Sequence, residues 1–91
     1  MSEAPNQDGE FWFEDGTVIL VARDVEFRVY GGLLADHSPV LRNLFARPGH
    51  PVRSVTKPGQ PEFLCPVISL EDSPEDLRHV LRVYIPRHRL R

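Results

Sequence analysis

One cysteine, Cys65, occurs in the 91 residues, so no internal disulfide framework can form. A lone thiol fits a reducing intracellular setting, cytoplasmic or nuclear. No apolar run approaches the ~20 residues needed to cross a bilayer. The leading MSEAPNQDGE is polar and acidic without an apolar stretch, so no signal peptide is expected. The histidines, His37, His50, His79 and His88, are 13, 29 and 9 positions apart and form no metal-ligand pair on one helix face. Gly-x-Ser-x-Gly, phosphate-cradling and dinucleotide signatures are missing as well. The carboxylates Asp15, Asp24, Asp72, Glu75 and Asp76 all fall where turns or helix caps account for them. Cys65, placed before Pro66 in a strand-like run, reads as a small buried hydrophobe. These absences predict no catalytic centre, no metal, no cofactor and no small-molecule substrate.

A chain of this length makes one small domain, which buries only about 60–65% of its unfolded surface. The formal net charge of −2 hides an asymmetry. Residues 1–26 carry seven acids against Arg23 alone, while residues 78–91 carry five arginines and no acid. Residues 1–10 read as a disordered acidic leader. Residues 87–91 read as a solvated basic tail, with weak binding of nucleic acid or of an acidic partner as the alternative. Arg87, His88, Arg89 and Arg91 have no interleaved aromatic stacking platform, and the pI near 6.0 disfavours a dedicated nucleic-acid binder.

The stretch from Asp15 to Phe45 carries the fold signal. Phe11, Trp12 and Phe13 precede it as an aromatic cluster, either a short edge strand or a segment packed on the body or on a second chain. Thr17 to Arg23 is apolar on both faces and predicts a strand buried on both sides. Arg23-Asp24 reverses the chain, and Val25 to Tyr30 alternates with Val25, Phe27 and Val29 inward and Glu26, Arg28 and Tyr30 outward. Gly31-Gly32 stops that strand, and Leu33 to His37 allows about one helical turn. Ser38-Pro39 opens a helix to Ala46, with Val40, Leu41, Leu44 and Phe45 on one stripe.

Residues 47–61 hold four prolines and two glycines and predict a loop. Glu62 to Leu70 follows as a third strand candidate, which Pro66 assigns to an edge or to a late start. Asp72-Ser73-Pro74-Glu75-Asp76 caps a final helix whose Leu77, Val80, Leu81 and Tyr84 recur at helical spacing until Pro86.

In this order the elements resemble the BTB (POZ) domain, in its divergent fungal form. The resemblance rests on Asp15, Val18, Leu20, Val21, Phe27, Val29, Leu34, Ala35, Ser38 and Leu44-Phe45, then on Val67 to Asp72 and Leu77 to Tyr84. It covers about residues 13–86, within a domain expected over 11–86 with the loop of 47–61 as an insertion. It implies an α+β fold: a three-stranded sheet, made of a hairpin plus a third strand, with short helices packed on it. It also implies a protein–protein interaction module, homo- or hetero-oligomeric, serving in transcription regulation or as an adaptor for cullin-type ubiquitin ligases. The positions matching the family's subunit interface are Phe11, Trp12, Phe13, Asp15, Leu33 and Leu34. Tyr30-Gly31 stands where the family has His followed by Lys or Arg, so the cation that pairs with the strand's opening Asp in dimeric members is missing. The family's later helices are missing too, and the chain resembles a shortened domain. A few hundred Å² of apolar surface left bare at about 25 cal/mol per Å² costs several kcal/mol. Self-association, partner binding or low stability follows, the last being the mark of a fragment without a function of its own.

Overall fold

A computed structural model describes residues 6–56 and 58–85. The hairpin forms as the alternation predicts. Strands β2 (Val18–Ala22) and β3 (Val25–Val29) pair antiparallel with Leu20 opposite Phe27. Arg23 turns the corner in the left-handed region at φ 57°. Helix α1 (Gly31–His37) follows, and both glycines lie in its first turn rather than only ending the strand. Helix α2 (Pro39–Ala46) starts where Ser38 accepts a hydrogen bond from the Leu41 N–H at 3.2 Å. Helix α3 (Pro74–Tyr84) starts the same way, with Ser73 accepting from Asp76 N–H at 3.1 Å and Glu75 and Asp76 in the first turn.

The sheet is larger than expected. It has five strands in mixed pairing, not three, in the order β1-β3-β2-β5-β4. The two additions come from segments read as irregular. Strand β1 (Asn6–Trp12) takes in the second half of the expected disordered leader and runs parallel to β3; residues 1–5 lie outside the described residues. Strand β4 (Val52–Ser54) sits inside the Pro/Gly-rich loop and pairs antiparallel with β5 (Leu64–Leu70). Three residues are too few to show a period, so β4 has no sequence signature.

β5 is flanked rather than at an edge. Its residues 64–66 pair with β4, and its residues 67–70 run parallel to β2. Pro66 falls one residue before the β2 pairing begins, so its missing N–H interrupts no bond to β2. The result is an α+β fold with three helices on a mixed five-stranded sheet.

The core lies between the sheet and the helices. Leu20, Phe27, Val29 and Ile68 from the strands meet Leu34 of α1 and Leu77 and Leu81 of α3, all at most 2% exposed. At the far end of α1, the His37 ring stacks on Tyr84 of α3 at 5.6 Å between centroids.

β1 is held differently. Its register breaks between Gln7 and Trp12. The Asp8 carboxylate accepts the Glu10 and Phe11 N–H groups at 3.0 and 2.9 Å across that break, which turns Phe11 into the core with no exposure. The other Asp8 oxygen takes Arg78 Nε at 2.6 Å, and Glu10 takes Arg82 through two bonds of 2.9 and 2.7 Å. The acidic leader and the basic last helix are therefore neighbours, tied by charge.

Candidate interaction surface

The helix-side rim carries a shallow apolar groove of about 290 Å³. Thr17 and Val18 of the hairpin form one wall, Gly31, Gly32 and Ala35 of α1 another, and Phe45 of α2 with Pro66 and Ile68 of β5 complete it. The two glycines open this space. A Cβ on Gly32 would meet nothing within 4 Å, whereas one on Gly31 would touch Thr17 and Val18 at 3.4 Å. Gly31 is fixed by its N–H, which donates to Thr17 Oγ1 at 2.9 Å. α2 is amphipathic, yet none of its residues is fully buried. Leu41, Leu44 and Phe45 are half-buried against the core, and Val40 is 75% exposed. Across Pro66 the apolar surface continues into Val52 and Leu64, 59% and 48% exposed on the outer side of β4 and β5.

The residues expected at a subunit contact do not form one patch. Phe11 and Leu34 have no exposure and belong to the core, so neither can meet a second chain without unfolding part of this one. The family resemblance matched them to a subunit interface, but in this fold their side chains pack the core. Phe13 and Leu33 are half-buried on the helix side. Phe13 stacks on Tyr30 at 4.9 Å and meets Phe11 edge-on at 6.2 Å. Asp15 is exposed and accepts a hydrogen bond from the Tyr30 hydroxyl at 2.9 Å. Burial first, then that hydrogen bond and the Asp15 charge, raise the Tyr30 pKa above its ordinary value. Tyr30 thus supplies Asp15 with a neutral donor on the same hairpin. Trp12 is on the opposite face of the sheet, opposite Arg28 in the register.

That opposite face is not the solvated surface its polar residues suggested. Glu26 and Arg28 point away from the helical core as expected, yet they are only 2% and 7% exposed. β4 folds over them, and Arg53 grips Glu26 with two bonds of 2.6 Å. This bond, first of all causes, holds the Arg53 guanidinium above its ordinary pKa. Ile19 and Cys65 complete the covered surface with no exposure. Gly16 carries the closest approach: a Cβ there would sit 2.9 Å from Arg28 Cγ and from the Val29 carbonyl oxygen. Its own carbonyl accepts Arg28 Nε at 3.0 Å and the Cys65 thiol at 3.5 Å.

The sequence reading gave the Arg53–Glu26 pair no role. Its only signal is a carboxylate at an outward strand position matched by an arginine within a loop. Among the described residues no group of three or more His, Cys, Asp or Glu side chains is arranged to hold a metal ion, and no helix is long and apolar enough to cross a membrane. Of the arginines counted in the basic end, Arg78 and Arg82 are engaged with Asp8 and Glu10; Arg87, Arg89 and Arg91 lie outside the described residues. Comparison with protein-family models, with curated proteins and with solved structures returned no match.

Proposed function

We propose that the chain is a protein–protein interaction module of the BTB/POZ type, working by homo- or hetero-oligomerisation in the cell interior. The observation that carries this reading is the apolar groove between α1, α2 and β5, continued across Pro66 by exposed Val52 and Leu64. Contiguous apolar surface on a small domain marks a place where another chain sits. The order of hairpin, two short helices, strand and helix supports the family resemblance. The cation missing at Gly31 directs attention from a charged dimer pocket to this groove.

The test is solution mass by light scattering over a concentration series, for the wild type and for Gly32→Glu. The added Cβ meets nothing within 4 Å, so the fold tolerates the change while a carboxylate enters the groove. Self-pairing predicts a mass that rises with concentration in the wild type and stays monomeric in G32E, with G32E still giving a cooperative melt. A wild type monomeric throughout refutes self-pairing, and equal association by G32E refutes the groove as its seat.

A further inference from the structure

Among the described residues, Arg28 is the arginine whose burial and bonding do not match. The residue is 7% exposed, and Nε donates to the Gly16 carbonyl oxygen at 3.0 Å. Among the described residues its two η nitrogens have no acceptor. Glu26, two positions along the same strand face, has both oxygens committed to Arg53. No buried side-chain nitrogen or oxygen is without a partner among the described residues, so the η nitrogens reach open space.

That space is a groove. Two adjoining cavities of about 350 and 320 Å³ share Glu14, Arg28, Val55 and Thr56 as lining residues. Trp12 lines one end, Pro61 and Phe63 line the other, and Ser54 to Thr56 form the wall opposite β1. An η edge that faces a recess with no protein acceptor among the described residues exchanges its water for an anion. A planar fork presented by its η edge is the geometry that takes a carboxylate through two parallel bonds.

We propose that this groove binds a carboxylate carried on an apolar stem, with Arg28 as its receptor. Gly16 positions the guanidinium from behind, and the apolar side chains of Trp12, Val55 and Phe63 take up the stem. Glu14 and Asp15 also line the groove from exposed positions, and Asp15 holds the Tyr30 hydroxyl, whereas Arg28 acts from a buried position where charge is less screened. Their presence selects a single negative charge over a phosphate. The site lies on the sheet face opposite the apolar groove, so it stands or falls independently of oligomerisation.

Trp12 is the only tryptophan of the chain and lines the groove, so its fluorescence reports occupancy. Hexanoate, hexanamide, inorganic phosphate, and one apolar tripeptide with a free or an amidated C-terminus are titrated to about 10 mM, a range that reaches millimolar affinities. The Arg28 guanidinium resonances are followed by NMR in parallel. A saturable response to hexanoate or to the free-carboxylate peptide, with the matching amide at least about tenfold weaker, supports the site. Response to both carboxylates assigns any carboxylate on an apolar stem, and response to the peptide alone assigns a peptide terminus.

Arg28→Lys keeps the charge but loses the fork and weakens binding by about tenfold. Should that variant fail to fold, the wild-type guanidinium resonances decide, because they must shift with carboxylate and not with amide. No saturable response to either carboxylate, equal response to the amides, equal binding by folded R28K, or tighter binding of phosphate overturns the assignment.

Discussion

The Arg53–Glu26 pair offers a quantitative test of how β4 is held over the sheet. Glu26's side chain is 3% exposed and Arg53's 43%, and two bonds of 2.6 Å join them. At a charge separation of ~4 Å and an effective dielectric of 20, the attraction is about 4 kcal/mol before any desolvation is subtracted. Breaking a fully buried pair costs about 3–5 kcal/mol and a surface pair about 0–1 kcal/mol. With one partner buried and the other half exposed, Arg53→Ala is expected to cost about 2–3 kcal/mol, since it leaves a buried carboxylate uncompensated. Glu26→Gln keeps the shape and leaves Arg53 free to hydrate, so about 1 kcal/mol is expected.

The double variant buries a neutral amide with no cation, and its cost should fall short of the two single costs combined by at least about 1 kcal/mol. Urea titration of all four proteins, with slopes compared, gives the cycle directly. Out of the roughly 5–15 kcal/mol that stabilises a domain, such differences are readily measured. Arg53 stays charged throughout, since its pKa is raised above an already high value. Additivity within about 0.3–0.5 kcal/mol would refute the reasoning and leave β4 held by its ladder to β5 alone.

Gly16→Ala should cost about 1–3 kcal/mol, because the Cβ would press on Arg28 Cγ and the Val29 carbonyl at 2.9 Å; an unchanged urea midpoint contradicts that crowding. Phe11→Ala removes the fully buried anchor of β1 and should cost about 3–5 kcal/mol, with amide protection lost first in residues 6–12 by hydrogen exchange. Tyr30 has a raised pKa in the fold, so the folded protein binds that proton more tightly than the unfolded chain does. The corresponding stability is fully present below the ordinary tyrosine value of 10.0 and declines as pH rises through the folded value. Melting temperatures across that alkaline range should fall less steeply in Tyr30→Phe than in the wild type, and parallel curves would contradict the assignment.

Local chemistry was legible where it decides structure. Ser38-Pro39 and Ser73-Pro74 cap the two helices they announce, and the alternation from Val25 to Val29 gives β3 and its register with β2. What escaped depends on partners distant in the chain. The Asn6–Glu10 part of β1 has no apolar alternation; it is held by the free edge of β3, by Asp8 on Arg78 and by Glu10 on Arg82. The opposed charge of the two ends was visible, but read as two solvated termini rather than one contact.

Phe11 and Leu34 illustrate a second limit. An apolar residue has the same one-letter signal in a core and at an interface, and only the packing around it separates the two. The apolar groove was likewise hidden, because it follows from Gly31 and Gly32 lying inside α1 rather than before it.

Cys65 gives this molecule an internal clock. The chain's only thiol has no exposure, sits at the join where β5 leaves β4 for β2, and donates to the same carbonyl that holds Arg28. A thiol reagent can reach it only when that join comes apart. The labelling rate, set against that of a free thiol, therefore converts to an opening free energy for the middle of the sheet. A carboxylate seated over Arg28 should slow the clock in proportion to its occupancy.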